Sequence, residues 1–154
     1  MIMENLSDIL KSEAVERDLC AQWTAEWADD SSQQELIEKY KRGLDFIIKQ
    51  GEWPSNGFIK ANFDRDLLNA NLIFVDEYVD IDMAQSGIYV LNGDCHGRLS
   101  FAPWAAATVY LRHNSKVTIA ASDFAKVFVR LYDRAEAETE SDEGAFVRVL
   151  DRRK

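Results

Sequence analysis

Four groups of residues have types and spacings that could do chemistry. Gly93-Asp94-Cys95-His96-Gly97 sets a thiol beside an imidazole, the pair that a cysteine nucleophile needs. Neighbouring strand residues point to opposite faces, however, so Cys95 and His96 are poorly placed to act on each other. A buried cysteine beside a turn or edge histidine is the expected arrangement. Asp76, Glu77, Asp80 and Asp82 form an acidic cluster. Asp80 and Asp82 would project from one side of a strand roughly 7 Å apart, and their oxygens could hold Ca²⁺ or Mg²⁺. The EF-hand spacing and the glycine-rich nonapeptide of calcium-binding β-rolls are both missing. A solvated strand face is therefore expected, with no metal and no other cofactor. Asp64-Arg65-Asp66 reads as a loop with a local ion pair. No P-loop, GxGxxG, HExxH or GxSxG motif occurs, and only two histidines are present. The chemistry points away from an enzyme.

The aromatic residues are the other candidates. Trp23, Trp27, Trp53 and Trp104 are many for 154 residues. Most of them are expected to plug a junction between helices and strands. Trp104, beside Pro103, is the one expected to be exposed, and an exposed aromatic among acidic groups can anchor a partner. The partner-binding candidates are Trp23, Trp27, Trp104, Tyr110 and Tyr132.

The elements that position these residues follow from composition and period. The chain is 47% apolar and 29% charged, with seven glycines and two prolines, which excludes wholly disordered and collagen-like classes. A net charge of −9 opposes broad binding to nucleic acid or an anionic membrane. Residues 1–62, 63–104 and 105–154 carry −5, −5 and +1, so the acidity belongs to the first two-thirds. Cys20 and Cys95 lie outside any CxxC or zinc spacing, no run of about 18 apolar residues exists, and the first residues do not read as a signal peptide. The expectation is a cytoplasmic protein with reduced thiols.

Residues 1–63 read as a helical headpiece. Ser12 is expected to cap a helix bearing Val15, Leu19, Trp23 and Trp27. Ser32 and Glu35 form a capping box before one continuous stripe of Leu36, Ile37, Tyr40, Leu44, Ile47 and Ile48, ended by Gly51. Trp53-Pro54 then forces an extended exit, and Ser55 caps a short helix with Phe58, Ile59 and Phe63. From Ile73 the period falls to two: Ile73, Val75, Val79, Ile81 and Met83 share one parity, and a second strand covers Gly87–Leu91. Residues 64–104 are read as connecting strands and first coils.

The strongest signal is a repeat. Residues 105–154 divide into five blocks of ten: AAATVYLRHN, SKVTIAASDF, AKVFVRLYDR, AEAETESDEG and AFVRVLDRRK. Position one is always Ala or Ser. Positions three and five are mostly small or β-branched, and position nine is polar. One block is then one strand plus one turn, the small residue fitting a crowded corner and Asp a turn. Stacked blocks would form a two-sheet β-solenoid, setting Lys116 beside Glu136, Tyr110 beside Arg130, and Arg112, Tyr132 and Arg152 in one ladder. Ten-residue spacing also permits an antiparallel meander, but small residues at a fixed register favour the solenoid. His113 fills the turn slot held by Asp123 and Asp133 in other blocks. The acidic block AEAETESDEG is expected to be a loop or a frayed coil, and Arg152-Arg153-Lys154 a charged cap. The fold class is thus α+β, a helical headpiece followed by a β-solenoid.

The stretch ATVYLRHNSKVTIAASDFAKVFVRLYD resembles the A-x-V repeats of a group of small proteins from gut bacteria and their phages. ELIEKYKRGLDFIIKQGEWPSNGFIKANFDRDLL, IFVDEYVD and GIYVLNGDCHGRLSF resemble that group's headpiece and connecting region. The resemblance spans about Cys20 to Asp133 and implies helices followed by a solenoid. It implies no activity and no catalytic residue. The expected function is a non-catalytic interaction or structural module, with a protein partner or a second copy. The alternatives are an acidic, phage-type inhibitor of a host protein, and a metal- or carbohydrate-binding solenoid using Asp80, Asp82, Tyr110 and Tyr132.

Overall fold

The computed structural model describes residues 6–19, 32–50, 53–142 and 144–153. The chain divides into two compact units, residues 1–67 and 68–154.

The first unit is helical: α1 (Leu6–Glu16), α2 (Gln33–Arg42), α3 (Leu44–Lys49) and α4 (Asn56–Asn62), with α5 (Arg65–Ala70) running across the division. The capping box at Ser32 forms with both of its hydrogen bonds, and the Ser55 hydroxyl accepts from the Phe58 amide. Three expectations are corrected. Ser12 lies inside α1 and caps nothing; the helix buries Ser7, Leu10 and Ala14 and ends at Glu16, with Asp18 left-handed at φ 67°. The stripe from Leu36 to Ile48 is split at Gly43, whose φ of −99° and ψ of 20° leave helical geometry. Both halves still bury the stripe, through Leu36, Ile37, Leu44 and Ile47. Asp64-Arg65-Asp66 is a helix start rather than a loop, with the Asp64 carboxylate accepting the Asp66 amide. Trp53 is fixed within this unit: its indole N–H donates to Glu13 at 2.7 Å and Arg17 lies 5.1 Å from its ring centroid.

The second unit is a parallel two-sheet β-solenoid. Strands β1 (Ile73–Val75), β3 (Gly87–Asn92), β5 (Ala106–Leu111), β7 (Lys126–Leu131) and β9 (Phe146–Asp151) form one sheet. Strands β2 (Tyr78–Ala84), β4 (His96–Phe101), β6 (Lys116–Ala121) and β8 (Glu136–Ser141) form the other. Every pairing is parallel, and from β3 and β4 onward partners lie twenty residues apart, as in Tyr89↔Val109↔Val129↔Val149. That register excludes the meander. Lys116 faces Glu136 at 3.9 Å, and Arg130 donates to the Tyr110 hydroxyl at 3.2 Å.

Side-chain volume explains the register. Positions three, five and seven of each block fill the interior, where Val109, Leu111, Ile119, Val127 and Val129 are 0% exposed. Position one lies at the corners, and Ala105, Ser115, Ala125 and Ala135 are all buried there. Cys95 belongs to the same set. It stacks below Ser115, whose hydroxyl accepts the Cys95 amide at 3.3 Å.

Two strand assignments are also corrected. The run from Ile73 to Met83 is two strands in different sheets, because Asp76 turns left-handed at φ 52° and makes a corner. The acidic fourth block is strand β8, paired along its length with β6. Ala137 stands on Val117 inside, while Glu136, Glu138 and Glu140 occupy the outward parity, where charge is tolerated. Arg98 and Glu140 add an ion pair at 2.8 Å.

Candidate interaction surface

The Cys95–His96 pair does not assemble. Cys95 is 0% exposed and its thiol donates to the Asn92 carbonyl at 3.3 Å. His96 faces outward and bonds Asp94 at 2.7 Å. Burial pushes the Cys95 thiol above its ordinary value, an effect its hydrogen bonds only partly oppose. A raised thiol favours the folded state below the unfolded-state pKa, near 9.0, and this contribution is lost as pH rises further. In a Cys20→Ser variant at pH 8, a thiol reagent should modify Cys95 only as the protein unfolds. Prompt stoichiometric labelling of the native protein would contradict this burial.

The acidic cluster is absorbed by the fold. Asp76 accepts the Asp94 amide at 2.7 Å, and Glu77 accepts the Val75 amide at 3.4 Å. Asp80 is in register with Arg98, and a bulge follows Ile81, where Asp82 accepts the Met83 amide at 3.0 Å. The Arg98 guanidinium is raised by its hydrogen bond to Glu140 and further by the charges of Asp80 and Asp82. The Arg98 guanidinium bonds Glu140 and not the two aspartates. Among the described residues no group of three or more His, Cys, Asp or Glu side chains is placed to hold a metal ion.

One corner of the solenoid is built from side-chain acceptors. His113 Nδ1 accepts the Gly93 amide at 2.8 Å, and Asp133 accepts the His113 amide at 3.0 Å. Gly93, His113 and Asp133 all have positive φ, and the turns at Gly93 and His113 are each closed by a side chain from the next coil. The neighbouring open depression of about 810 Å³ is lined by charges that largely pair among themselves, including His96 with Asp94 and Lys116 with Glu136.

The opposite corner uses the same device at Asp123, whose amide donates to Asp142 at 3.2 Å, and adds exposed aromatic residues. Trp104 is 73% exposed and Phe124 51% exposed, and their rings stack at 4.7 Å with a 20° interplanar angle. Both residues are left-handed, at φ 64° and 67°, a conformation rarely held by large aromatic residues. Gly144 completes the column; a Cβ there would stand 2.7 Å from the Phe124 ring. The sheet that starts at this corner carries a second exposed pair, Phe128 and Phe146, in edge contact at 5.5 Å. Burial of apolar side chains accounts for none of these four.

Of the sequence candidates, Trp104 is exposed as expected. Tyr110 is only 8% exposed, stacked on Tyr132 at 6.2 Å and covered by Arg130, so it holds coils together and is no outward anchor. Trp23 and Trp27 lie outside the described residues. Sequence reasoning missed Phe124, although the twenty-residue ladder that joins Tyr110 to Arg130 also joins Trp104 to Phe124. Among the described residues no helix is long and apolar enough to cross a membrane.

The fold and surface together define a parallel β-solenoid with an exposed aromatic corner, preceded by a helical unit. Comparison with known proteins finds no matching family model, no matching curated protein and no matching solved structure.

Proposed function

We propose that this protein is a non-catalytic interaction module whose solenoid presents the Trp104–Phe124 corner to a protein partner. The observation that carries the reading is the combination of exposure and strain. Two large aromatic residues occupy a backbone region that costs about 1–3 kcal/mol each and gain little burial in return. Stacked aromatic rings are good anchors because stacking leaves less side-chain freedom to be lost on binding. The nearby Phe128 and Phe146 would widen the contact.

The test pairs binding with stability. Glycine relieves the left-handed strain, so Trp104→Gly and Phe124→Gly should leave the melting temperature unchanged or slightly higher. Quantitative capture from a lysate of the source organism, with the full chain as bait, should yield a stoichiometric partner that the Trp104→Gly/Phe124→Gly bait loses. Equal capture by both folded baits, or none by either, overturns the reading.

A further inference from the structure

We propose that the outward face of the sheet at β7 and β9 binds single-stranded nucleic acid, with Lys126, Arg130 and Arg148 holding phosphates and Phe128 and Phe146 stacking bases. This face borders the aromatic corner but uses neither Trp104 nor Phe124, so the two proposals fail separately.

The face is a checkerboard. Even-numbered residues of β5, β7 and β9 point outward, and none of them is Asp or Glu. On β7 the outward order is Lys126, Phe128, Arg130, and on β9 it is Phe146, Arg148, Leu150. The register sets Lys126 beside Phe146, Phe128 beside Arg148 and Arg130 beside Leu150. Cations and apolar side chains therefore alternate both along the strands and across them. At about 3.3 Å per residue and 4.8 Å per strand, Arg148 stands roughly 8 Å from Lys126 and from Arg130. The three charges make a zigzag, with Phe128 between its ends and Phe146 at its flank. Strand β7 lies between β5 and β9, so the exposure of Phe128 is that of a sheet face and not of an edge.

These charges are unspent. On the other sheet Arg98 bonds Glu140 at 2.8 Å and Lys116 faces Glu136 at 3.9 Å. Among the described residues none of Lys126, Arg130 and Arg148 is paired with a carboxylate. Arg130 lies 5.3 Å from the Tyr110 ring centroid and donates one N–H to its hydroxyl, which orients the guanidinium without neutralising it. The net charge of −9 acts against a polyanion at long range. At contact the local charges decide, because screening at physiological salt sets in over about 8 Å. The glutamates of β8 point away from a second sheet that packs about 10 Å behind this one.

A single strand supplies one phosphate and one flat base in every unit, the two kinds of group for which the checkerboard has places. An acidic peptide tract would satisfy the cations and leave both rings uncovered. A duplex would bring phosphates but keep its bases stacked on one another.

Fluorescence anisotropy of a labelled oligothymidylate of about 12 nucleotides tests this with the full chain, over roughly 50 to 200 mM salt. Wild type should bind, its log affinity falling against log salt with a slope of about −2, as three phosphate contacts require. Lys126→Ser and Arg148→Ser should each flatten that slope by about 0.7. Phe128→Ala should weaken binding about tenfold and leave the slope unchanged. Lys116→Ser on the other sheet and Trp104→Gly/Phe124→Gly at the corner should bind like wild type. All of these side chains are exposed, so thermal unfolding should show every variant to be folded. Absence of binding by wild type at the lowest salt overturns the proposal, as does an unchanged affinity in Phe128→Ala. Equal displacement of the probe by poly-L-glutamate and by unlabelled oligothymidylate also overturns it, and assigns the face to an acidic polypeptide.

Discussion

Gly97→Ala is expected to lower stability by about 4 kcal/mol or more and the melting temperature by about 10 °C. Gly97 occupies position three of its block, between Val79 and Val117 in the stacked register, where later coils carry valine or alanine. Its φ is +140°, and a Cβ there would stand 1.8 Å from the Val79 carbonyl oxygen and 2.7 Å from the carbonyl carbon. Both atoms are backbone, so no rotamer change can relieve the clash. Either β2 must separate from β4 or the strand must change its path. Thermal unfolding followed by circular dichroism checks it. A variant within about 2 °C of wild type would show that the two backbones do not approach so closely.

The second large effect is Ile119→Ala, expected to cost about 2–5 kcal/mol. Ile119 is 0% exposed between Leu99 and Thr139, in the middle of the interior column of the second sheet. Removing its branch leaves a cavity bounded by strands that are hydrogen-bonded above and below and cannot collapse inward. The internal comparison is Thr139→Ala, one coil further along the same column. Thr139 is exposed, so this change should stay within about 0.5 kcal/mol. Urea titration of both variants measures the contrast. Similar losses at the two positions would mean that the coil of β8 and β9 is as well packed as the middle one.

How much of this was legible from sequence depends on which forces repeat. The solenoid and its register were readable because small corners and β-branched interiors recur every ten residues, and two such blocks close a coil. The first coil was not readable as one. Its partners are offset by 17 residues in one sheet and 18 in the other, as in Ile73↔Val90 and Val79↔Gly97. Asp76 also hides a corner inside an unbroken alternation. The strand at Glu136–Ser141 was obscured for a different reason. Hydropathy is dominated by its outward glutamates, while the information that makes it a strand sits in Ala135 and Ala137 and in the opposite charges of Lys116 and Arg98. In the headpiece, the split at Gly43 left the apolar stripe intact and so left no trace in the period. The aromatic corner was half-readable. Trp104 beside Pro103 is expected to be exposed and is, whereas Phe124 was missed because its stacking partner lies twenty residues away on the coil below.

The corner hydrogen bonds tie one turn to the next at intervals of twenty: Gly93 to His113, and His113 to Asp133. The aromatic column on the far side keeps the same interval, Trp104 to Phe124 to Gly144. The chain therefore counts in whole turns. Loss or duplication of twenty residues returns every corner to its own kind and changes the rod's length by about 4.8 Å per turn. A change of ten would deliver aromatic residues to the aspartate corner and interrupt both columns. Gene rearrangements in this stretch are thus sorted by arithmetic: double blocks yield longer or shorter versions of one molecule, and single blocks yield misfits.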